Sequence, residues 1–200
     1  MAAAASTHEP AHHTSTGIDN RKLLMWIFLA SECLFFGSLI SAYLIFKGKS
    51  LVGPFPHEVL DIPVTSTSTF VLLMSSLTMV LAVFGAEHGR PRMMKLWLLA
   101  TILLGLTFLG FQTYEFRSFG AEGLNLTTNQ FGATFFVLTG FHGTHVAVGV
   151  LILGSLLFGS FRRSGLGPEA GFNVEVAGLY WHFVDIVWIV IFTLIYLIPH

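Results

Sequence analysis

The chain has 200 residues, of which 54% are hydrophobic and only 10% are charged, with a formal net charge of −1. That balance excludes an ordinary soluble domain and implies an integral membrane protein, while the near-zero charge leaves no basic field for nucleic acid. The single cysteine, Cys33, lies inside an apolar run and has no partner for a disulfide.

Residues 1–20 are rich in Ala, Thr, Ser and His and hold no apolar stretch long enough for the core of a signal peptide, which predicts a disordered tail. His8, His12 and His13 are of metal-binding type, but a short tract of this kind reads first as a solvated tail. Residues 21–200 read as an all-α membrane bundle of five transmembrane helices.

The first predicted span, Leu23 to Phe46, is flanked by Arg21 and Lys22 before it and by Lys47 and Lys49 after it, and its only charge is Glu32. Its length suits a hydrocarbon core of about 30 Å. Gly48 to Pro63, with its prolines and glycines, reads as an exposed connection. The second span runs from about Val64 to Ala86 and opens on Thr65, Ser66, Thr67, Ser68 and Thr69, hydroxyls that cap a helix start or bond to a neighbour. The third runs from about Met94 to Phe116, with Gln112 and Glu115 one turn apart, and a loop from Arg117 to Thr128 follows. The fourth, about Asn129 to Phe161, carries His142 and His145 and a ridge of Thr139, Gly143 and Ala147 that invites close helix packing. Arg162 to Asn173 is the final connection, and the last span, from Glu175 to Pro199, places Glu175, His182 and Asp185 in one sector. That polar stripe must face protein or enclosed water rather than lipid.

An odd number of spans puts the chain ends on opposite sides. Seven of the ten lysines and arginines fall on the side of the N-terminus and three on the other, so the N-terminus should be cytoplasmic and the C-terminus outside.

Glu32, Glu115, His142, His145, Glu175, His182 and Asp185 are the intramembrane ionisable set. A carboxyl at the depth of Glu32 must be protonated or paired, and polar groups on neighbouring helices, His182 among them, are candidate partners. His142 and His145 are spaced to share a face, as ligands of one metal or haem would be, with His182 and Asp185 able to complete a site. His182 with Asp185 one turn away suits a hydrogen-bonded pair better. Trp26, Trp97, Trp181 and Trp188 with Tyr43, Tyr114, Tyr180 and Tyr196 can line a quinone or lipid pocket, but their places near span ends favour an aromatic belt. No nucleophile with its base, phosphate-binding glycine loop or cysteine cluster is present. A proton-coupled transporter also places Glu and His at mid-membrane, yet no internal repeat supports one; a haem b cytochrome would use His142 or His145 with His182.

Two runs resemble a known family. Thr134 to Val146, TFFVLTGFHGTHV, and Tyr180 to Trp188, YWHFVDIVW, look like the two signatures of subunit III of haem-copper terminal oxidases. Ser31-Glu32 with Phe35-Phe36, and Gln112 with Glu115, match in type and order, so that the resemblance covers about Leu23 to Leu197. It implies the short five-helix bacterial form, without the two extra N-terminal helices of the longer form and without the lipid cleft those helices enclose. It further implies a non-catalytic subunit of a proton-translocating oxidase in the bacterial plasma membrane. Such a subunit packs against subunit I, alongside subunit II and other oxidase subunits, and supports proton uptake. The haems and copper lie in those partners, none in this chain, and phospholipids bind along the helices. Glu32, His182 and Asp185 fall in the family's buried polar positions. Cytochrome c oxidase is the leading reading; a quinol oxidase or the accessory protein of a nitric oxide reductase shares the resemblance.

Overall fold

The computed structural model describes residues 19–47, 49, 61–161 and 169–198, and these contain five long helices and no strand. The helices are α1 (Asn20–Phe46), α2 (Ile62–Glu87), α3 (Pro91–Ala121), α4 (Gln130–Ser160) and α5 (Ala170–Phe192), and α5 continues into a π-helical turn over Thr193–Leu197. All five are long and apolar enough to cross a membrane. The expected tail up to residue 18 with its histidines, most of the connection after α1 and residues 162–168 lie outside the described residues.

Polar residues set the helix starts. The Asp19 carboxylate accepts from Arg21 N, Asp61 from Val64 N and Asn129 from Gly132 N, each meeting a backbone donor that the first turn leaves free. Two glycines end α2 and α3. Gly89 (φ 62°) and Gly123 (φ 86°) take the left-handed conformation, so that Arg90 N reaches Gly85 O at 2.8 Å and Leu124 N reaches Phe119 O at 2.9 Å. Helix α3 therefore runs five residues past the Phe116 end expected from hydropathy, and only then turns. Helix α5 likewise begins at Ala170, inside the expected final connection, and α1 already includes Asn20.

Helix α5 is the centre of the bundle. Half of its most apolar window is buried, against 11% for α1. It contacts α1, α2 and α4, and α2 pairs closely with α3 along a tight hairpin where Gly85 lets the Met94 backbone approach. Helix α1 lies at the edge and packs on α4 and α5.

Trp181 occupies the middle of these contacts. A Cβ at Gly105 of α3 would stand 2.7 Å from its ring, and one at Gly149 of α4 would stand 2.8 Å from the ring's other part. Its Nε1 donates to Ser75 Oγ of α2 at 3.0 Å. Of the small-residue ridge expected on α4, Thr139 and Gly143 are buried, and a side chain at Gly143 would collide with Gln112 of α3.

A glycine series on α4 checks this packing. Gly149→Ala and Gly143→Leu should each destabilise the protein by about 1–3 kcal/mol through overpacking. Gly140→Ala, whose added Cβ meets nothing within 4 Å, should be neutral or slightly stabilising because alanine favours helix. Equal melting temperatures for Gly149→Ala and Gly140→Ala would refute the close approach of α4 to Trp181.

Candidate functional site

The ionisable residues form separate clusters along the bundle rather than one centre. At the N-terminal end of α1, Arg21 makes two hydrogen bonds to the Glu169 carboxylate, at 2.7 and 3.0 Å, and its guanidinium stands 5.0 Å from the centre of the Phe172 ring. The hydrogen bond from Arg21, and then its charge, hold the exposed Glu169 carboxyl below the usual carboxylate range. One step further in, Lys22 Nζ meets Glu175 Oε1 at 2.5 Å. These contacts tie the start of α1 to the start of α5.

At mid-membrane, Glu32 Oε2 of α1 lies 3.2 Å from His145 Nε2 of α4, both half-buried. The other ring nitrogen, Nδ1, sits 2.7 Å from the Phe141 carbonyl. A carbonyl only accepts, so Nδ1 carries a hydrogen and Nε2 of the neutral ring carries none. A hydrogen bond between Nε2 and Glu32 then requires one further proton, placed on either partner. The pair is neutral overall in both forms.

His142 takes a different direction. It is fully buried, stacked on Trp188 of α5 at 4.7 Å and met by the edge of Phe108 of α3 at 5.7 Å, and neither ring nitrogen has a protein partner. The two histidines thus do not meet one common ligand, as the alternative of a shared metal or haem would need. Three residues leave them about 60° apart around the helix, and the crevices between α4 and its neighbours separate them further. Among the described residues no group of three or more His, Cys, Asp and Glu stands close enough to hold a metal ion.

Between α2 and α5, Ser76 Oγ meets His182 Nδ1 at 2.7 Å and Trp188 Nε1 donates to Thr69 Oγ1 at 2.9 Å. Asp185 is 3% exposed, and neither of its carboxyl oxygens has a hydrogen-bond partner. Ser76 stands beside Asp185 as well as the imidazole, but only the imidazole is within hydrogen-bond distance of its hydroxyl. The expected His182–Asp185 pair is not formed: the imidazole meets Ser76 and the carboxyl is left without a hydrogen bond. Nor is His182 the partner of Glu32, because α4 rather than α5 supplies that group.

At the far end, Thr65 Oγ1 of α2 bonds to the buried Glu115, and Gln112 Nε2 donates to the Thr139 carbonyl at 2.7 Å. Lys47 Nζ reaches the carbonyls of Ile198 at 3.2 Å and Leu194 at 3.5 Å, where the π-helical turn leaves acceptors free. The aromatic-belt expectation is corrected in part. Trp26 and Tyr114 are exposed and Tyr43 and Tyr196 are buried near helix ends, whereas Trp181, Trp188 and Tyr180 are buried well inside α5. The polar partners that sequence reasoning missed, Ser75 and Ser76, continue along α2 the face on which the expected hydroxyls Thr65 and Thr69 stand, and that helical periodicity was the available signal.

Comparison with known proteins gives the family. The family model described as cytochrome c oxidase subunit III matches residues 3–199, further into the N-terminal tail than the resemblance read from the signatures. The chain is 42% identical over 178 residues to a protein of Bacillus sp. (strain PS3) named cytochrome c oxidase subunit 3, covering 89% of this chain and 86% of that one. It is 37% identical over 194 residues to a protein of Staphylococcus saprophyticus named probable quinol oxidase subunit 3, covering 93% and 96%. A protein of Staphylococcus aureus with that same name is also 37% identical, over 196 residues. With five apolar spans and a family match over nearly its whole length, the chain is a multi-pass bacterial membrane protein and belongs to the cytochrome c oxidase subunit III family of the haem-copper terminal oxidases.

Proposed function

We propose that the chain is the accessory third subunit of an aerobic oxidase that takes electrons from cytochrome c, and that it packs against subunit I and supports proton uptake while the haem and copper chemistry proceeds in the partner subunits. The observation that carries this reading is the fate of its intramembrane polar groups. Glu32, His145, Gln112, Glu115, Glu175 and His182 are engaged in bonds between helices of this chain, a pattern suited to holding a bundle rigid. Outside the bundle the helices present broad apolar faces, with Leu34 and Leu151 more than 70% exposed, which suit phospholipid chains and neighbouring membrane subunits.

Cytochrome c as donor is favoured by the 42% identity to the relative of that name against 37% to the quinol oxidase relatives. The reading predicts that the complex purified through a tag on this chain contains a copper-bearing subunit II and oxidises reduced cytochrome c faster than quinol. The opposite preference would move the protein to the quinol oxidases and leave its family unchanged.

Orientation follows from the distribution of lysine and arginine, with the N-terminus cytoplasmic. A reporter fused after residue 200 should lie outside the cytoplasm. A cytoplasmic C-terminus would reverse the assignment of every cluster described above.

Glu32 separates a structural role from an essential one. Gln at this position can donate its amide to the neutral Nε2 of His145, so Glu32→Gln should assemble with unchanged haem and copper content and retain most oxygen reduction. Glu32→Leu leaves the imidazole nitrogen without its partner and should lower stability by about 1–3 kcal/mol. A fully assembled, fully metallated Glu32→Gln complex without oxygen reduction would overturn the accessory reading.

A further inference from the structure

A groove of about 270 Å³ runs between α2 and α5, with Glu87 and Glu175 towards the helix ends and His182 further in along α5. Val80, Val83, Phe84 and Leu179 form its apolar wall, with Gly178 beside them. His182 borders the groove and also touches the interior, where its Nδ1 meets Ser76. Its Nε2 has no protein partner among the described residues. Beyond Ser76 lies Asp185, enclosed and with both oxygens unpartnered. A buried carboxyl without a donor is costly as a carboxylate and tolerable as an acid, and Ser76 beside it leads back through an imidazole to the groove.

We propose that Asp185 is a proton-binding site loaded from the groove through His182 and Ser76. A proton from groove water adds to His182 Nε2 while the Nδ1 hydrogen passes to Ser76 Oγ and the Ser76 hydroxyl hydrogen passes to an Asp185 oxygen. One proton enters, one carboxylic acid forms, and histidine and serine end neutral, with the imidazole in its other tautomer; the reverse sequence empties the site. The groups that face this path from other elements are few. Glu87 of α2 lines the groove, Lys22 of α1 neutralises Glu175 at 2.5 Å, and His142 of α4 stands behind Trp188. No cation stands beside Asp185 among the described residues, so protonation is the means of neutralising it. The site rests on the geometry of this chain, and its loading from the cytoplasmic side rests on the orientation proposed above.

Infrared difference spectroscopy on the purified complex tests this, with wild type minus Asp185→Asn isolating the Asp185 carboxyl band. The band should be that of a carboxylic acid near neutral pH and should shift within the mixing time when water is replaced by deuterium oxide. His182→Phe and Ser76→Ala should each slow that shift by about a hundred-fold or more, the scale set by losing a positioned proton carrier. His182→Gln, which keeps a polar link to Ser76 but cannot relay a proton, should slow it as much as His182→Phe while melting like wild type, which separates the relay from packing. A carboxylate band at neutral pH, or exchange at wild-type speed in all three variants, would overturn the proposal. The C-terminal reporter decides orientation independently, so a cytoplasmic C-terminus with the exchange pattern intact would keep the site and move its entrance to the other side.

Discussion

The bundle depends on the indole of Trp181 being enclosed by backbone rather than by side chains. Gly105 and Gly149 bring two helices against the ring, and Ser75 of a third helix accepts its N–H. Hydrocarbon around the protein is as apolar as the side chains, so burial alone gives helices little reason to associate; close packing and interhelical hydrogen bonds must do so. A large planar ring set against two glycines supplies contact area, and its single donor supplies direction. Trp188 repeats the device two turns on, with Thr69 accepting its N–H and His142 and Phe108 against its faces and edge. Helix α5 is thereby fixed in rotation against α2 at two points, which sets where His182 and Asp185 stand.

Charge obeys the same economy of partners. Two of the carboxyls in the apolar region are balanced by a basic group on a neighbouring helix, and a third, Glu115, is met by a hydroxyl. The Glu32–His145 pair is neutral whichever partner holds its proton, and Glu175 is met by Lys22. Asp185 and His142 stand apart because neither has a protein partner. For His142 an aromatic slot is compatible with a neutral imidazole. Asp185 has no such shelter, and that difference singles it out among the buried groups.

Much of this was legible in the sequence, because five apolar runs with charged flanks leave little freedom in the number of helices. The end of α1, the end of α2 and both ends of α4 were legible to within a residue, whereas the end of α3 and the start of α5 were not. Hydropathy falls off before α3 does, and the left-handed Gly123 marks its true end better than the loss of apolar residues. One boundary error had a further effect. With α5 starting near Glu175, Trp181 reads as a residue at the membrane edge; with the start at Ala170 it lies roughly 16 Å along the helix, in the middle of the bundle. The candidate polar residues were visible one by one, but their pairing was not, because residues one turn apart differ by enough rotation to enter different crevices. His142 and His145 diverge for that reason, and His182 turned to a serine on α2 that no spacing on α5 could reveal.

Helix α1 is held differently from the rest. Little of it is buried, and in place of a packed seam it is tied at three levels: Arg21 and Lys22 to Glu169 and Glu175 at one end, Glu32 to His145 in the middle, and Lys47 to the π-helical carbonyls at the other end. Polar ties in a low-dielectric surrounding fix register along the helix axis, because a shift of one turn would strand all of them at once. They resist sliding more than they resist separation. An edge helix held in this way keeps its height in the membrane while leaving its outer face, with Leu24, Ile27 and Leu34 exposed, free to meet lipid or another subunit. The placement of Glu32 is then intelligible without any chemistry of its own: it is the middle tie of a helix that burial alone does not hold.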